Sequence, residues 1–225
     1  RRGYAMTLAA PAARDQWWFA DGEKGPGISS LFSVFNPSDA AVEVDVIFLG
    51  IVEVAEIEPL FIPAGEVAFV DPGQIETLPD GRYSVVFSTR AEPSIVVERV
   101  LTRTFDNLIS TSVNMGAPPR PDGYVPARWH LVAVPSEPTP ASMVVYNVDN
   151  IDGVFSLLSV GPNGPEIVPG WESRPLPAAS LVVVDLPGGG EMIVESSTRI
   201  FVERSLPGAG GRSSSWAVPA EVDQR

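Results

Sequence analysis

Ala41-Val-Glu-Val-Asp-Val-Ile-Phe-Leu49 alternates apolar and acidic residues at its start, so that Val42, Val44 and Val46 share one side of an extended chain and Glu43 and Asp45 the other. This is how a strand reads when one face lies in a core and the other in water. The preceding Asn36-Pro-Ser-Asp39 is turn chemistry, because Asn and Asp side chains bond nearby backbone and Pro presets φ. The rest of the chain repeats this grammar: 23 prolines and 20 glycines fall between short runs rich in Val, Ile, Leu, Phe and Thr. Val67-Ala-Phe-Val70 and Leu181-Val-Val-Val184 are continuous apolar runs expected at sheet centres, and Ala91–Ser94 and Ser196–Arg199 read as tight connections. No stretch carries a sustained helical stripe, so the expected class is all-β with little or no helix.

The strand pattern occurs twice. Sliding the chain by 111 positions places Trp18 on Trp129, Val34 on Val145, Asn36 on Asn147 and Gly50 on Gly161 without a gap. Ile62–Asp71 then matches Leu176–Asp185, Ile95–Leu101 matches Ile200–Leu206, and Ser110–Met115 is echoed more faintly by Ser213–Val218. Ordered recurrence, with differences confined to connecting loops, is the mark of duplication. Each copy of about 100 residues has the size of an immunoglobulin-like sandwich, and seven or eight strands are expected in each. The reading divides the chain into a linker or leader remnant (1–15), a first repeat (16–117), a stiff Pro/Gly-rich linker (118–127), a second repeat (128–220) and a tail (221–225).

Composition narrows the function. Apolar residues make up 44% of the chain, enough for a core in each half. A formal charge of −13 repels phosphate backbones, which argues against nucleic acid as a partner. Without cysteine, thiolate chemistry and disulfides are excluded. No apolar run approaches the ~18 residues of a membrane span. The chain starts at Arg1, which reads as an excised ectodomain or processed fragment; Met6–Ala13 reads as a linker, first strand or tail of a secretory signal.

The order Trp17-Trp-Phe-Ala-Asp-Gly22, Val34-Phe-Asn-Pro-Ser38, Ile62-Pro-Ala-Gly65 and Val97-Glu-Arg-Val-Leu101 resembles a class of bacterial, largely actinobacterial, secreted and cell-surface repeats of unknown function. Their pattern is a WYFAEG-like start, an NPG or NPS turn, a PAG strand entry and a VERxMY-like strand. The second copy departs from it at Arg128–Ala133 and Asn147–Asn150. The resemblance implies a location outside the cytoplasmic membrane, a β-sandwich-like fold and no established activity. It supplies no catalytic, cofactor or metal residues to carry over.

Few residues offer chemistry. Glu98-Arg99 and Glu203-Arg204 lie in otherwise apolar strands; because the pair recurs, a structural role is expected, with an Arg anchor for an anionic ligand as the functional alternative. His130, the single histidine, aligns with Phe19 in the ungapped register and is expected to pack. No nucleophile elbow is present. Asn147-Val-Asp-Asn-Ile-Asp-Gly153 faintly resembles a calcium loop without its full spacing or bidentate Glu, and an ordinary turn is expected. Trp18 and Trp129 are expected in the core and Trp17 on the other side of its strand. Trp171, in an insertion next to Arg174, has no counterpart in the first copy. Trp171, Arg174 and Trp17 are therefore the candidate contacts for a partner, taken to be an envelope polysaccharide or protein. The expected function is a non-catalytic binding or structural module of the bacterial envelope. A pure spacer and a glycan-acting enzyme are the alternatives.

Overall fold

The computed structural model describes residues 10, 12–49, 55–90, 94–105, 108–119, 123–134, 141–187, 189–208 and 211–220. Most of Met6–Ala13, the centre of the interdomain linker and the tail at 221–225 lie outside the described residues. The chain divides into two compact units, Arg1–Pro119 with Gly208–Ser214, and Arg120–Pro207 with Ser215–Arg225.

The first unit contains β1 (Gln16–Lys24), β2 (Ile28–Phe35), β3 (Val42–Leu49), β4 (Ala55–Glu56), β5 (Leu60–Ile62), β6 (Val67–Val70), β7 (Gly81–Thr89), β8 (Val96–Phe105) and β9 (Leu108–Met115). One antiparallel sheet runs β1-β7-β3-β4, with β5 also on β3, and the other runs β6-β2-β8-β9. The alternation read in Ala41–Leu49 is realised in β3: Val42, Val44 and Val46 are buried and Glu43 is exposed. Inner faces meet through aromatic rings. Phe32 of β2 lies 5.0 Å edge-on from Phe19 of β1 and 5.1 Å from Phe87 of β7. Burying each such ring is worth roughly 1.5–3 kcal/mol. A 3₁₀ turn at Pro72–Gln74, capped by the Asp71 carboxylate accepting from Gly73 N, is the one helical turn among the described residues.

The later strands are β10 (Arg128–Val134), β11 (Ser142–Asn147), β12 (Gly153–Gly161), β13 (Gly164–Ile167), β14 (Arg174–Leu176), β15 (Leu181–Asp185), β16 (Gly190–Ser196), β17 (Ile200–Gly208), β18 (Gly211–Trp216) and β19 (Val218–Pro219). Their sheets are β13-β12-β16-β10-β19, with β14 on β12, and β15-β11-β17-β18. The strand order repeats that of the first unit position by position, β19 being added beside β10. Where the first unit packs Phe19, Phe32 and Phe87, the second packs Leu131, Met143 and Val194, all buried. At these three positions the scaffold thus holds rings in one copy and aliphatic side chains in the other, while Trp129, Phe155 and Phe201 stay buried in the second.

Several expectations need correction: Val67–Val70 and Leu181–Val184, expected at sheet centres, lie in the edge strands β6 and β15. The strand count exceeds seven or eight because short edge pieces, β4 and β5 on β3 and β13 and β14 on β12, are too brief for a periodicity to register. The immunoglobulin-like expectation is met as far as facing antiparallel sheets. The strand order differs from the ABED and CFG sheets of a constant-type domain, since β2 lies between β6 and β8 and β7 between β1 and β3.

The repeat register also shifts. Trp17 pairs with Phe87 and Trp129 with Val194, and both indole N–H groups donate at 2.8 Å to equivalent carbonyls, Ile95 O and Ile200 O. Trp17, and not Trp18, is therefore the counterpart of Trp129, 112 positions apart, while Asn36 and Asn147 remain 111 apart. The Trp-Trp doublet hides the one-residue difference. A slip by one flips every side chain to the opposite face, so Trp17 is 2% exposed whereas Trp18 is partly exposed, with its N–H on Gln16 Oε1 at 3.3 Å. By the same shift His130 corresponds to Trp18, not Phe19. It lies on the outward side of β10, with Nδ1 3.0 Å from Glu191 Oε1, and is not a packed core residue.

Candidate interaction sites

Three polar anchors recur in both units. The buried Asn36 amide donates to Ala40 O, Ile62 O and Pro63 O at 2.7–3.1 Å. Asn147 donates to Ile151 O, Leu176 O and Pro177 O at 2.9–3.3 Å. Each amide also accepts a backbone N–H two residues on, from Ser38 or Asp149. The turn signal was legible in the sequence; the reach across to the next connection, which ties two loops together, was not. The two buried indoles are the second anchor. The third is the arginine of each Glu-Arg pair: Arg99 donates Nε to Asn114 Oδ1 at 3.2 Å and Nη1 to Asp21 O. Arg204 donates Nε to Ser215 Oγ at 2.9 Å and Nη1 to Val132 O. Both guanidiniums tie the last strands of their units to a carbonyl of the first. Burial lowers the Arg204 pKa. Arg99 is fully buried and lies over the Phe19 ring at 5.3 Å. Neither is presented to an anionic ligand. Their glutamates point away from the inner face, Glu98 half-buried and Glu203 buried.

The first unit adds a charge cluster that single-residue inspection missed. A bulge between Phe19 and Gly22 turns Asp21 inward, where it is 1% exposed. Asp21 Oδ1 accepts from Arg82 Nη1, and its Oδ2 lies 3.9 Å from Arg103 Nη2. Glu23 accepts from Arg103 Nε at 2.8 Å. Next to this cluster the Tyr83 ring occupies the space where a Gly22 side chain would be: a Cβ there would meet Tyr83 at 2.1 Å, so only glycine fits. Burial pushes the Tyr83 phenol far above its ordinary value, and the Arg99 charge opposes this in part. Each acid is held by an arginine, which makes the cluster a charge-matched tie between β1, β7 and β8. The second repeat has Gly189, Gly190 and Gly208 where the first has Arg82, Tyr83 and Arg103, so the tie belongs to one copy.

The sequence-nominated contacts separate. Trp17 is buried and serves its own fold, which removes it as a contact. Trp171 and Arg174 come together, with the guanidinium 5.4 Å over the indole ring, Trp171 half-buried and Arg174 exposed. Arg174 also donates to Gly170 O at 3.4 Å, and Ser173 holds φ +47° between them. One ring face is therefore already covered by the chain's own cation. The acid-rich turn Asn147–Gly153 spends its oxygens internally. Asp149 bonds Arg199 through N and Nε at 2.7–2.8 Å, and Asp152 accepts from Ala178 N. Burial raises the Asp149 pKa, but the Arg199 bonds and charge outweigh it and hold the carboxyl below its usual range.

The surface that departs most from expectation is the outer face of β6-β2-β8-β9. Antiparallel sheets with one solvated face alternate apolar-in and polar-out. Here two outward cross-strand rows are apolar, Val67, Phe35 and Val96 in one and Leu31, Val100 and Val113 in the other, while Ser29, Thr102 and Thr111 keep a further row polar. Phe69 lies opposite Ser33, next to Glu98 and Met115. Phe69 is 62% exposed, Val67 43%, and Leu31 and Phe35 37% each. Glu98 is the one charged group among the described residues of β2, β6, β8 and β9 on this face. Contiguous apolar surface of this kind, on the order of several hundred Å², marks interaction sites.

These features define a class: a duplicated antiparallel β-sandwich protein with internally satisfied polar anchors and an apolar outer sheet face. No protein-family model matches the chain, and no curated protein matches it. Among solved structures, the Thermotoga maritima protein 1070 is similar at 15% identity and a TM-score of 0.43, over 48% of this chain and 97% of that one. The PBSX exported protein XepA is similar at 15% identity and a TM-score of 0.26, over 92% of this chain and 84% of its own.

Proposed function

We propose that this chain is a non-catalytic module of the bacterial cell envelope, located outside the cytoplasmic membrane, which binds another envelope protein through the outer face of β6-β2-β8-β9. The exposed apolar rows centred on Phe35 and Phe69 carry the reading. A flat aliphatic and aromatic face with a single acid suits a protein partner better than a hydroxyl-rich polymer, which needs convergent hydrogen-bonding groups as well as a stacking ring. The family resemblance of the first repeat supports the location. The buried arginines, indoles and asparagines are occupied in holding each unit, which leaves them no part in turnover. Polysaccharide binding at Trp171 is the second reading, and the Arg174–Trp171 stack favours it, since a cation on one face leaves the other for a sugar ring.

A capture experiment separates the two. Purified protein is offered detergent-solubilised envelope proteins and isolated cell-wall polysaccharide, next to Phe35→Ser/Phe69→Ser and Trp171→Ala. Protein capture lost in the double variant and kept in Trp171→Ala is expected. Polysaccharide capture lost only in Trp171→Ala would replace the first reading with the second. Retention of neither pool would leave a spacer role.

A further inference from the structure

Asn163 stands apart from the other described asparagines. Asn36, Asn114 and Asn147 are buried, and their amides are held by hydrogen bonds. Asn150 is exposed but is followed by the β-branched Ile151, whose side chain crowds the next backbone nitrogen. Asn163 is exposed at the tip of the β12–β13 hairpin, and its side chain makes no hydrogen bond to other described residues. It precedes Gly164, the sole Asn-Gly step in the chain. Gly164 has φ +106°, and nothing lies within 4 Å of the place a Cβ would occupy. Gly164 therefore sets no side chain against the Asn163 amide, and the side-chain side of its Cα is open.

We infer that Asn163-Gly164 is a site of spontaneous covalent modification by deamidation. The Gly164 backbone nitrogen, losing its proton to solvent base, attacks Asn163 Cγ. The new N–C bond closes a five-membered succinimide as the Cγ–N bond breaks and the amide nitrogen leaves as ammonia. Water then opens the ring at either carbonyl, giving aspartate or isoaspartate. No electrons are transferred, and one neutral amide becomes one carboxylate. The product adds a negative charge at the hairpin tip, and the isoaspartate form inserts a methylene into the backbone of the turn. Gly161 pairs with Gly164 directly across this turn, so the lengthened backbone falls where the β12–β13 ladder closes.

The test is incubation of the folded protein at mildly alkaline pH with peptide mapping and isoaspartate detection over time, next to Asn163→Gln. A gain of about 1 Da confined first to the peptide carrying Asn163 is expected. It should run several-fold ahead of the Asn150 peptide, with the earliest phase absent in Asn163→Gln. Equal rates at Asn150 and Asn163, or an Asn163 peptide unchanged while others convert, would overturn the assignment. Circular dichroism through the time course verifies that the reacting species is the folded one.

Discussion

At the scale of single residues, the side chains with the largest consequences are polar atoms placed inside. Asn36 and Asn147 each satisfy three carbonyls from one amide, so removing the amide strands several buried acceptors at once. Asn36→Ala and Asn147→Ala should each destabilise the unit that carries them by about 3 kcal/mol, read from urea midpoints. A shift below about 0.5 kcal/mol in either would show that water replaces the amide at no loss. The tryptophan doublet makes a sharper comparison. Trp17→Ala removes a buried ring and its bond to Ile95 O and should cost about 3–5 kcal/mol, whereas Trp18→Ala on the outer side should cost under about 1 kcal/mol. Equal losses would mean that the strand does not keep the one-residue shift. Sequence comparison put the wrong indole inside here. An adjacent identical residue offers a gap-free alignment, and nothing local tells which of two neighbours faces the core.

At the scale of elements, β8 shows how a strand with a charge on each face is reconciled with an apolar core. Val97, Arg99 and Leu101 point in, and Arg99 is tolerated there because Asp21 O, Asn114 Oδ1 and the Phe19 ring receive it. Replacing Arg99 by Met keeps bulk but leaves those acceptors unpaired. Chemical denaturation should report a loss of roughly 2–4 kcal/mol, against under about 0.5 kcal/mol for Glu98→Gln on the half-buried outer face. The repeated Glu-Arg motif was visible in the sequence as structural. Its partner carbonyls were not, because they come from register shifts in β1 and β10, 78 and 72 residues earlier. The outer face of β6-β2-β8-β9 was equally hidden. Its edge strand β6 reads as a continuous apolar run, which sequence patterning assigns to a central, doubly covered strand, whereas Val67 and Phe69 face outward.

For the whole molecule, one buried tyrosine in each unit links stability to alkaline pH. Burial raises Tyr83 well above its ordinary value and pushes Tyr146 up to about 12. An unfolded phenol titrates near ~10, so above that pH the unfolded chain has released protons that the native one still holds. Stability is fully present below about 10 and is lost as pH rises towards the native values. Denaturant midpoints should fall progressively from pH 10 upwards, and ultraviolet phenolate titration should show a late phase that Tyr83→Phe and Tyr146→Phe each diminish. Midpoints unchanged through pH 11 would place both rings in contact with water.

What the sequence determined by itself was the strand class, the duplication, and the turns at Asn36 and Asn147. These rest on local grammar, alternation along a strand and side-chain bonds to nearby backbone, which neighbours in the chain encode. What only the tertiary structure decided was which of Trp17 and Trp18 is buried, the Asp21–Arg82–Arg103 tie, the strand order, and the apolar face left outward. Each depends on pairing between segments tens of residues apart. Because side chains alternate at every step, a one-residue change in that pairing exchanges inside for outside without altering the local pattern.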